Sequence, residues 1–164
     1  MNDLSEPAKK QATDLPDTPP DAEIASAPEA LPLPEISKRA ARRLIQRAFV
    51  LAGRDRTVRQ HIREARVITL WALEDWGFEW TVAIERGKLN FDRRPARAPD
   101  LTFTWPSAEE FFKSLWEGKS PDASLLLEGD LRLRRYSDPV YSAFCRLLEQ
   151  VLHDPFDEAG NRLL

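Results

Sequence analysis

Apolar residues recur at helical spacing in the stretch that follows residue 36. They share one side of a predicted helix that starts at Ser37 and stops near Gly53, with Ala41, Leu44, Ile45, Ala48, Phe49 and Ala52 on that side. A second, shorter helix is predicted after Asp55, with three inward residues, Val58, Ile62 and Ala65. The opposite side of the first helix carries mainly arginine, so we expect this segment to bury one face only.

After residue 66 the pattern changes to the two-residue period of a β-strand. Apolar residues alternate with polar or small ones in three runs, WTVAIE from Trp80, LNF from Leu89 and LTFTW from Leu101. Such alternation is typical of antiparallel strands with one covered face. An earlier strand, VITLWAL from Val67, is apolar on both faces, so we expect it to be covered on both. A tight hairpin turn is predicted at Gly87-Lys88.

The second half of the chain returns to helical periods. Ser107 and Glu110 have the spacing of a capping box, which predicts a helix that Gly118 closes. The run LLLEGDLRL predicts a further strand, and a last helix is expected from about Asp138 or Pro139. Strands grouped together, with helices before and after them, favour an α+β fold.

Charge is distributed unevenly along the chain, although the net charge is only −3. Residues 1–35 hold eight acidic and two basic residues, whereas residues 38–66 hold ten basic and two acidic residues. The acidic segment is also rich in proline and has no aromatic residue, so it cannot bury enough apolar area to offset the cost of ordering. We expect three parts: a disordered acidic tail (1–35), one folded domain (36–154) and a loose C-terminal tail (155–164).

The basic block has three interpretations. It is a solvated outer face, a surface for anionic membranes or lipid headgroups, or a contact for a protein or nucleic acid, of which nucleic acid is not favoured. No apolar run approaches the roughly 20 residues of a membrane span, and the N-terminus lacks the apolar stretch of a secretory signal. These features predict a cytoplasmic protein, with peripheral membrane contact left open.

Residues with catalytic or metal-binding chemistry are few. His61 and His153 have no partner at metal-ligand spacing, and Cys145, the only cysteine, falls on the apolar side of the last helix. The sequence Gly118-Lys119-Ser120 imitates the end of a phosphate-binding loop, but it lacks the earlier glycine and follows a helix where a strand is required. We therefore predict no metal and no cofactor.

Two pairs of adjacent carboxylates remain as candidates for acid–base chemistry. Glu74 and Asp75 are expected in a strand, where neighbours point to opposite faces and do not share a site. Glu109 and Glu110 fall in the first turn of a helix, where negative charge is favoured for structural reasons. The sequence gives no positive support for an enzyme.

Large aromatic residues are concentrated in the strands and the two later helices. They are either the core of a sheet covered by helices or the lining of an apolar cavity between the two layers. Trp76 is a separate case, because it falls in a turn, where it either contacts a membrane interface or packs against a neighbouring loop.

The order of these segments resembles the sterol carrier protein 2 (SCP2) domain family. The motifs are the strand tryptophan Trp80, the Arg86-Gly87 hairpin, Pro99-Asp100 before a strand of alternating threonines, the helix from Ser107 to Gly118, and Gly129-Asp130 before the last helix. The resemblance covers roughly residues 40–152. The chain departs from the family in having only Gly129 where two glycines often flank the last strand.

The resemblance implies an SCP2-like, five-stranded, mainly antiparallel sheet covered by helices, with an apolar tunnel for sterol-like, fatty acyl or isoprenoid lipids. Bacterial relatives include accessory proteins of ubiquinone synthesis, and the stand-alone family brings no catalytic residues. The expected lining consists of Trp71, Phe78, Trp80, Val82, Phe103, Trp105, Phe111, Phe112, Leu115, Trp116, Leu127, Phe144 and Leu148. The expected membrane-facing or anion-facing residues are Arg39, Arg42, Arg43 and Arg47.

The first functional hypothesis is therefore a non-catalytic lipid-binding module for carriage or presentation to a membrane or an enzyme. The second is an interaction subunit with a filled core and no ligand, whose partner contacts the N-terminal tail. A third, an enzyme acting on a lipid, lacks a polar cluster that we can identify within the cavity.

Overall fold

Residues 31–164 are described by a computed structural model, and Pro32–Leu164 forms one compact unit. This part contains four α-helices, five β-strands and two 3₁₀ turns. The predictions for residues 1–30, including most of the acidic tail, lie outside the described residues.

The first two helices begin where the sequence predicts. Helix α1 (Lys38–Arg54) is capped by Ser37, whose hydroxyl accepts a hydrogen bond from the Ala40 amide at 3.1 Å. Asp55 ends α1 and also caps α2 (Arg56–His61), because its carboxylate accepts from the Val58 amide at 3.1 Å. The apolar residues predicted to face inward on both helices are buried, which confirms the amphipathic interpretation.

Five strands form a single sheet: β1 (Arg66–Leu73), β2 (Phe78–Glu85), β3 (Lys88–Asp92), β4 (Leu101–Trp105) and β5 (Leu126–Gly129). The order across the sheet is β3-β2-β1-β4-β5, in which β1 and β4 are parallel and the other neighbours are antiparallel. The predicted α+β class, with a five-stranded and mainly antiparallel sheet covered by helices, is confirmed. The hairpin turn falls at Arg86-Gly87, where both residues have positive φ; this is the position of the family motif and lies one residue before the Gly87-Lys88 turn predicted from the residue pattern.

Asp100 forms hydrogen bonds to β1 and to the residue after β5, at the point where β4 begins beside β1. Its carboxylate accepts from the Ile68 amide at 2.7 Å, and its own amide donates to the Ile68 carbonyl at 2.8 Å. Its carbonyl accepts from the Asp130 amide at 2.9 Å. Asp100 therefore links β1, β4 and the residue that follows β5.

Helix α3 (Ala108–Trp116) is capped by Ser107 as predicted, with the hydroxyl accepting from the Glu110 amide at 3.2 Å. The expectation that Glu74 and Asp75 belong to a strand is wrong, since both lie in the 3₁₀ turn Glu74–Trp76. The Asp75 carboxylate accepts from the Ala108 amide at 3.0 Å, so it supports the start of α3.

The last helix, α4 (Arg134–His153), begins earlier than predicted and contains Pro139. The predicted strand stops at Gly129, because the Asp130 carboxylate accepts from the Arg132 amide at 3.1 Å and turns Leu131–Leu133 into a 3₁₀ turn. That turn leads directly into α4, so the helix begins at Arg134 and not near Pro139, where the sequence pattern placed its start.

The residues after α4 fold back onto the domain, although the sequence led us to expect a loose tail. Phe156 forms a β-bridge with Arg162, and the Leu163 amide donates to the Pro155 carbonyl at 2.7 Å. The Asp157 carboxylate accepts from the Asn161 amide at 2.8 Å, which closes the loop, and the Leu163 side chain is buried.

Helices α1, α3 and α4 cover the same face of the sheet. That face carries Val67, Trp71 and Leu73 of β1, and all three are buried. On the other face, Ile68 is 40% exposed. The expectation that β1 is covered on both faces is therefore wrong, because the three helices that would cover it pack on the Trp71 side.

Candidate functional site

The layer between sheet and helices is built around Trp71. Its ring stacks on Phe103 at 4.5 Å between centroids and meets Phe49 of α1 edge-on at 5.2 Å. Phe144 of α4 lies 5.1 Å away and stacks on Phe49 at 4.3 Å. Aromatic rings from two helices and two strands therefore fill the centre of the layer at normal contact distances.

Three buried indoles in this layer differ in their hydrogen bonding. Trp71 Nε1 donates to Thr69 Oγ1 at 2.8 Å, and Trp105 Nε1 donates to the Pro121 carbonyl at 2.9 Å. Trp80 Nε1 is buried and has no hydrogen-bond partner among the described residues. An unpaired buried donor costs about 1–3 kcal/mol, so Trp80 carries a polar atom with unused binding capacity.

The structure brings most of the predicted lining residues to this layer. Those that are buried there are Trp71, Phe78, Trp80, Val82, Phe103, Trp105, Phe111, Phe112, Leu115, Phe144 and Leu148. Leu127 is half-buried at the β5 edge. Trp116 is also half-buried, and its ring stacks on His153 at 4.0 Å. Their role in binding a ligand stays a prediction.

Two aromatic residues of the layer were missing from the predicted lining. Phe49 is predicted to face inward from the first helix, but it is not among the residues predicted to line a cavity. Tyr141 stacks near Phe103 at 5.8 Å, and its hydroxyl donates to Asp122 Oδ1 at 2.5 Å. The spacing of Tyr141 from Phe144 on the same helix face is the signal that would have identified it.

Helix α1 and strand β3 are separated at the surface by an apolar notch of about 250 Å³. It is lined by Gln46, Phe49, Val50, Val82, Leu89, Asn90 and Phe91. Phe49 and Phe91 lie 5.7 Å apart, and Phe49 also contacts Trp71. Phe49, a residue of the aromatic layer, therefore forms part of the wall of the notch.

A basic cleft of about 670 Å³ lies along the first half of α1. It is lined by Lys38, Arg39, Arg42, Arg43 and Arg93. Three of the four predicted basic residues are therefore together, whereas the fourth, Arg47, forms an ion pair with Glu158 at 3.2 Å. Lys38 and Arg93 were missed, and no sequence pattern connects Arg93, which follows β3, with α1.

The basic cleft and the apolar notch are adjacent parts of one α1–β3 seam. Arg93 Nη2 donates to Gln46 Oε1 at 3.0 Å, and this bond separates the two. The Arg42 guanidinium lies 5.0 Å from the centre of the Phe78 ring, which is 5.1 Å from Trp80. The seam therefore runs from cationic to apolar surface, and Phe78 lies between Arg42 and the buried ring of Trp80.

Titratable groups in the layer do not suggest a nucleophile. Cys145 is buried, as predicted, and burial raises the pKa of its thiol to about 12. Burial also raises the pKa of the Tyr141 hydroxyl, and the neighbouring Cys145 and Asp122 act in the same direction. Both groups stay protonated at neutral pH, so neither is poised to attack a substrate.

Residues 31–164 contain neither a candidate metal site nor a candidate membrane-spanning helix. No group of three or more His, Cys, Asp or Glu side chains is arranged to hold a metal ion. No described helix has the length and apolar character needed to cross a membrane.

Among known proteins, similarity is found to solved structures and not to family models or curated proteins. No family model matches the chain, and no curated protein matches it. The solved structure of the UbiJ-SCP2 ubiquinone synthesis protein is similar with 13% identity and a TM-score of 0.41, over 68% of this chain and 93% of that one. The stereoselective inverting sec-alkylsulfatase Pisa1 from Pseudomonas sp. is similar with 11% identity and a TM-score of 0.39, over 50% of this chain and only 13% of the sulfatase. Neither likeness is strong enough to carry an argument.

Proposed function

We propose that the protein binds a hydrophobic ligand without catalysis, in the layer between its sheet and helices, and carries or presents it to a membrane or an enzyme. The proposed ligand is a sterol-like, fatty acyl or isoprenoid lipid. The observation that carries the proposal is the apolar notch between α1 and β3, whose wall includes Phe49 of the aromatic layer.

Apolar surface alone is sufficient for this kind of binding. Burial yields about 25 cal/mol per Å² of apolar area, so an acyl chain needs few polar contacts. The aromatic rings already fill the centre of the layer, with Phe49 stacked on Phe144 at 4.3 Å. On this proposal, a ligand displaces Phe49 and moves α1 away from β3, which is one of the two edge strands of the sheet.

Membership of the SCP2 family is part of the same proposal. It is supported by the order of the sequence motifs together with the roles that two of them have in the fold. Asp100 links three parts of the sheet, and Gly129 adopts a φ of +113° beside it. Presentation to a membrane is supported by the cationic surface of α1.

A matched pair of substitutions tests whether the notch admits the ligand. Val50 at the rim of the notch is 39% exposed, and Ile68 on the uncovered sheet face is 40% exposed. Val50→Phe fills the notch and is expected to weaken binding of a long-chain alcohol, measured by calorimetry on delipidated protein, by about tenfold. Ile68→Phe adds comparable bulk elsewhere and should leave the affinity unchanged. Wild-type protein that binds no apolar probe would refute the proposed function.

An interaction subunit with a filled core is the second candidate, and the close ring contacts in the layer favour it. Deletion of residues 1–34 separates the two functions. A lipid-binding module keeps its ligand after this deletion, whereas an interaction subunit that uses the N-terminal segment loses its partner.

A further inference from the structure

We propose that the α1–β3 seam binds an amphipathic anion, with a phosphate-type head in the basic cleft and its apolar chain in the adjoining notch. The inference rests on the proposed function and adds to it the chemical class of the ligand and the place of its head. Three observations support it: the unbalanced charge of the cleft, its continuity with the notch, and the unpaired indole of Trp80.

None of the five cations of the cleft has an acidic partner among the described residues, whereas seven of the fourteen other arginines in residues 31–164 have one. Elsewhere in residues 31–164, ion pairs with carboxylates are formed by Arg47, Arg54, Arg66, Arg94, Arg132, Arg134 and Arg146. Within the cleft, Lys38 donates to the Trp76 carbonyl at 3.4 Å and Arg93 donates to Gln46, so their partners are neutral. Arg39 and Arg43 have no ion-pair partner among the described residues.

Five neighbouring cations without a counter-charge from residues 31–164 repel one another, and an anion between them relieves that repulsion. The position on the helix adds to the effect. The first turn of α1 contains no acidic residue and begins with Lys38 and Arg39. These two cations lie at the positive end of the helix dipole, which adds to the positive potential of the cleft. Guanidinium groups bind phosphate oxygens with paired donors, which makes a phosphate-type head the best match for a site rich in arginine.

The remainder of the seam suits the uncharged part of an amphiphile. The notch begins on the other side of the Gln46–Arg93 hydrogen bond, so a chain attached to the head passes directly onto Phe49 and Val82. Asp92 pairs with Thr81, which brings the next residue, Arg93, to the level of Trp80. The Trp80 Nε1 hydrogen is buried and has no described partner, so an oxygen near the head of the ligand would reach it only when the ligand moves α1 away from β3.

Calorimetry with two probes of equal chain length tests the inference. Delipidated full-length protein is titrated with n-decyl phosphate and with n-decanol, both in monomeric form. Removing two cleft charges in R39Q/R43Q should weaken binding of decyl phosphate about tenfold and leave decanol binding unchanged. The control R56Q/R63Q removes two exposed arginines from outside the cleft and should change neither affinity.

The outcomes separate this inference from the proposed function. If R39Q/R43Q and wild type bind decyl phosphate with equal affinity, the proposed site for the phosphate head is wrong. The proposed function still holds in that case, provided that the protein binds decanol. Failure of wild type to bind either probe removes both. If R39Q/R43Q loses binding to vesicles that contain phosphatidylglycerol but keeps its decyl phosphate affinity, the cleft serves a membrane surface and the inference is again wrong.

The Trp80 indole provides a spectroscopic readout. Its N–H resonance, assigned by its absence in W80F, should move downfield when decyl phosphate binds, because the proton gains an acceptor. An unchanged Trp80 resonance, at saturating decyl phosphate, would remove the indole from the proposed site.

Discussion

Trp80, Trp105 and Trp71 occupy the same face of the sheet, yet their indole N–H groups have different surroundings. Trp105 is bonded to a loop carbonyl and Trp71 to a threonine hydroxyl, whereas Trp80 has no described acceptor. The two-residue periodicity predicts that the rings of Trp80 and Trp105 point inward, since it reports the side of the strand, whereas the strand of Trp71 is apolar on both faces. It does not predict the hydrogen bonds, because the acceptor for Trp105 comes from Pro121, 16 positions later in the chain.

This difference leads to a stability prediction for two matched substitutions. W105F removes a buried hydrogen bond and leaves the Pro121 carbonyl unpaired, whereas W80F removes no described hydrogen bond. Both replace a fully buried indole by a smaller ring. We expect W105F to lower the free energy of unfolding by about 1 kcal/mol more than W80F, measured by urea denaturation. A larger loss for W80F would mean that its indole is paired.

Gly129 shows that a single residue fixes how β5 ends. Its φ is +113°, and a Cβ atom at this position would lie 2.2 Å from the Asp100 carbonyl oxygen. Gly77 also has positive φ, but nothing lies within 4 Å of its added Cβ. Gly129→Ala is therefore expected to cost at least about 2 kcal/mol more stability than Gly77→Ala, measured by thermal unfolding. Equal losses would show that β5 can move away from Asp100.

At the scale of elements, the starts of helices were predictable where a side chain caps them. Ser37, Asp55 and Ser107 each stand before a helix and accept from an amide three residues later. The start of α4 was missed because no side-chain cap precedes Arg134 and a 3₁₀ turn leads into it. Leu131 and Leu133 alternate with Arg132 as residues of a strand do, although this segment is a 3₁₀ turn. The only local sign of the turn is Asp130, whose carboxylate accepts from the Arg132 amide.

Asp55 supports two elements at once, and its contribution depends on pH. The Val58 amide, then Arg146, lowers the pKa of Asp55 below the ordinary value of 3.8. Because the folded-state pKa is the lower one, the stabilisation is full above the ordinary pKa and is lost as pH falls through the folded value. Asp55→Ala should cost about 1–2 kcal/mol at pH 7.

The variant Asp55→Asn separates the cap from the charge. It keeps a capping oxygen but loses the ion pair with Arg146, whose Nη2 lies 3.1 Å from Asp55 Oδ2. We expect its stability difference from wild type to shrink as the pH falls below 3.8, as measured by urea unfolding at a series of pH values. A difference that stays constant over that range would contradict the assigned pKa shift.

At the scale of the whole molecule, the class of fold followed from the periodicity, but the arrangement of elements did not. The parallel pairing of β1 with β4 brings together strands that are far apart in the chain, and no local pattern encodes it. The same is true of the basic cleft, where Arg93 joins the arginines of α1. Amphipathic spacing on α1 did predict Arg39, Arg42 and Arg43.

The C-terminal loop also depends on the whole fold. Leu163 is buried, and Glu158 reaches Arg47 and Arg54 of α1. Ending the chain after Asp154 should lower the free energy of unfolding by about 2 kcal/mol, measured by thermal denaturation, because Leu163 leaves the core. Glu158→Gln should cost much less than this truncation, since its ion pairs are solvent-exposed. A truncated chain as stable as wild type would show that the loop is loose after all.

The measurement that tests the central claim most directly is native mass spectrometry of the full chain purified without detergent, followed by solvent extraction. Binding of a hydrophobic ligand predicts a protein mass increased by one lipid of defined mass, and the extract should return that lipid. A ligand-free mass, with no binding of acyl or isoprenoid probes after delipidation, would contradict the account. The aromatic layer would then be only the core of the fold, and the interaction subunit would be the better description.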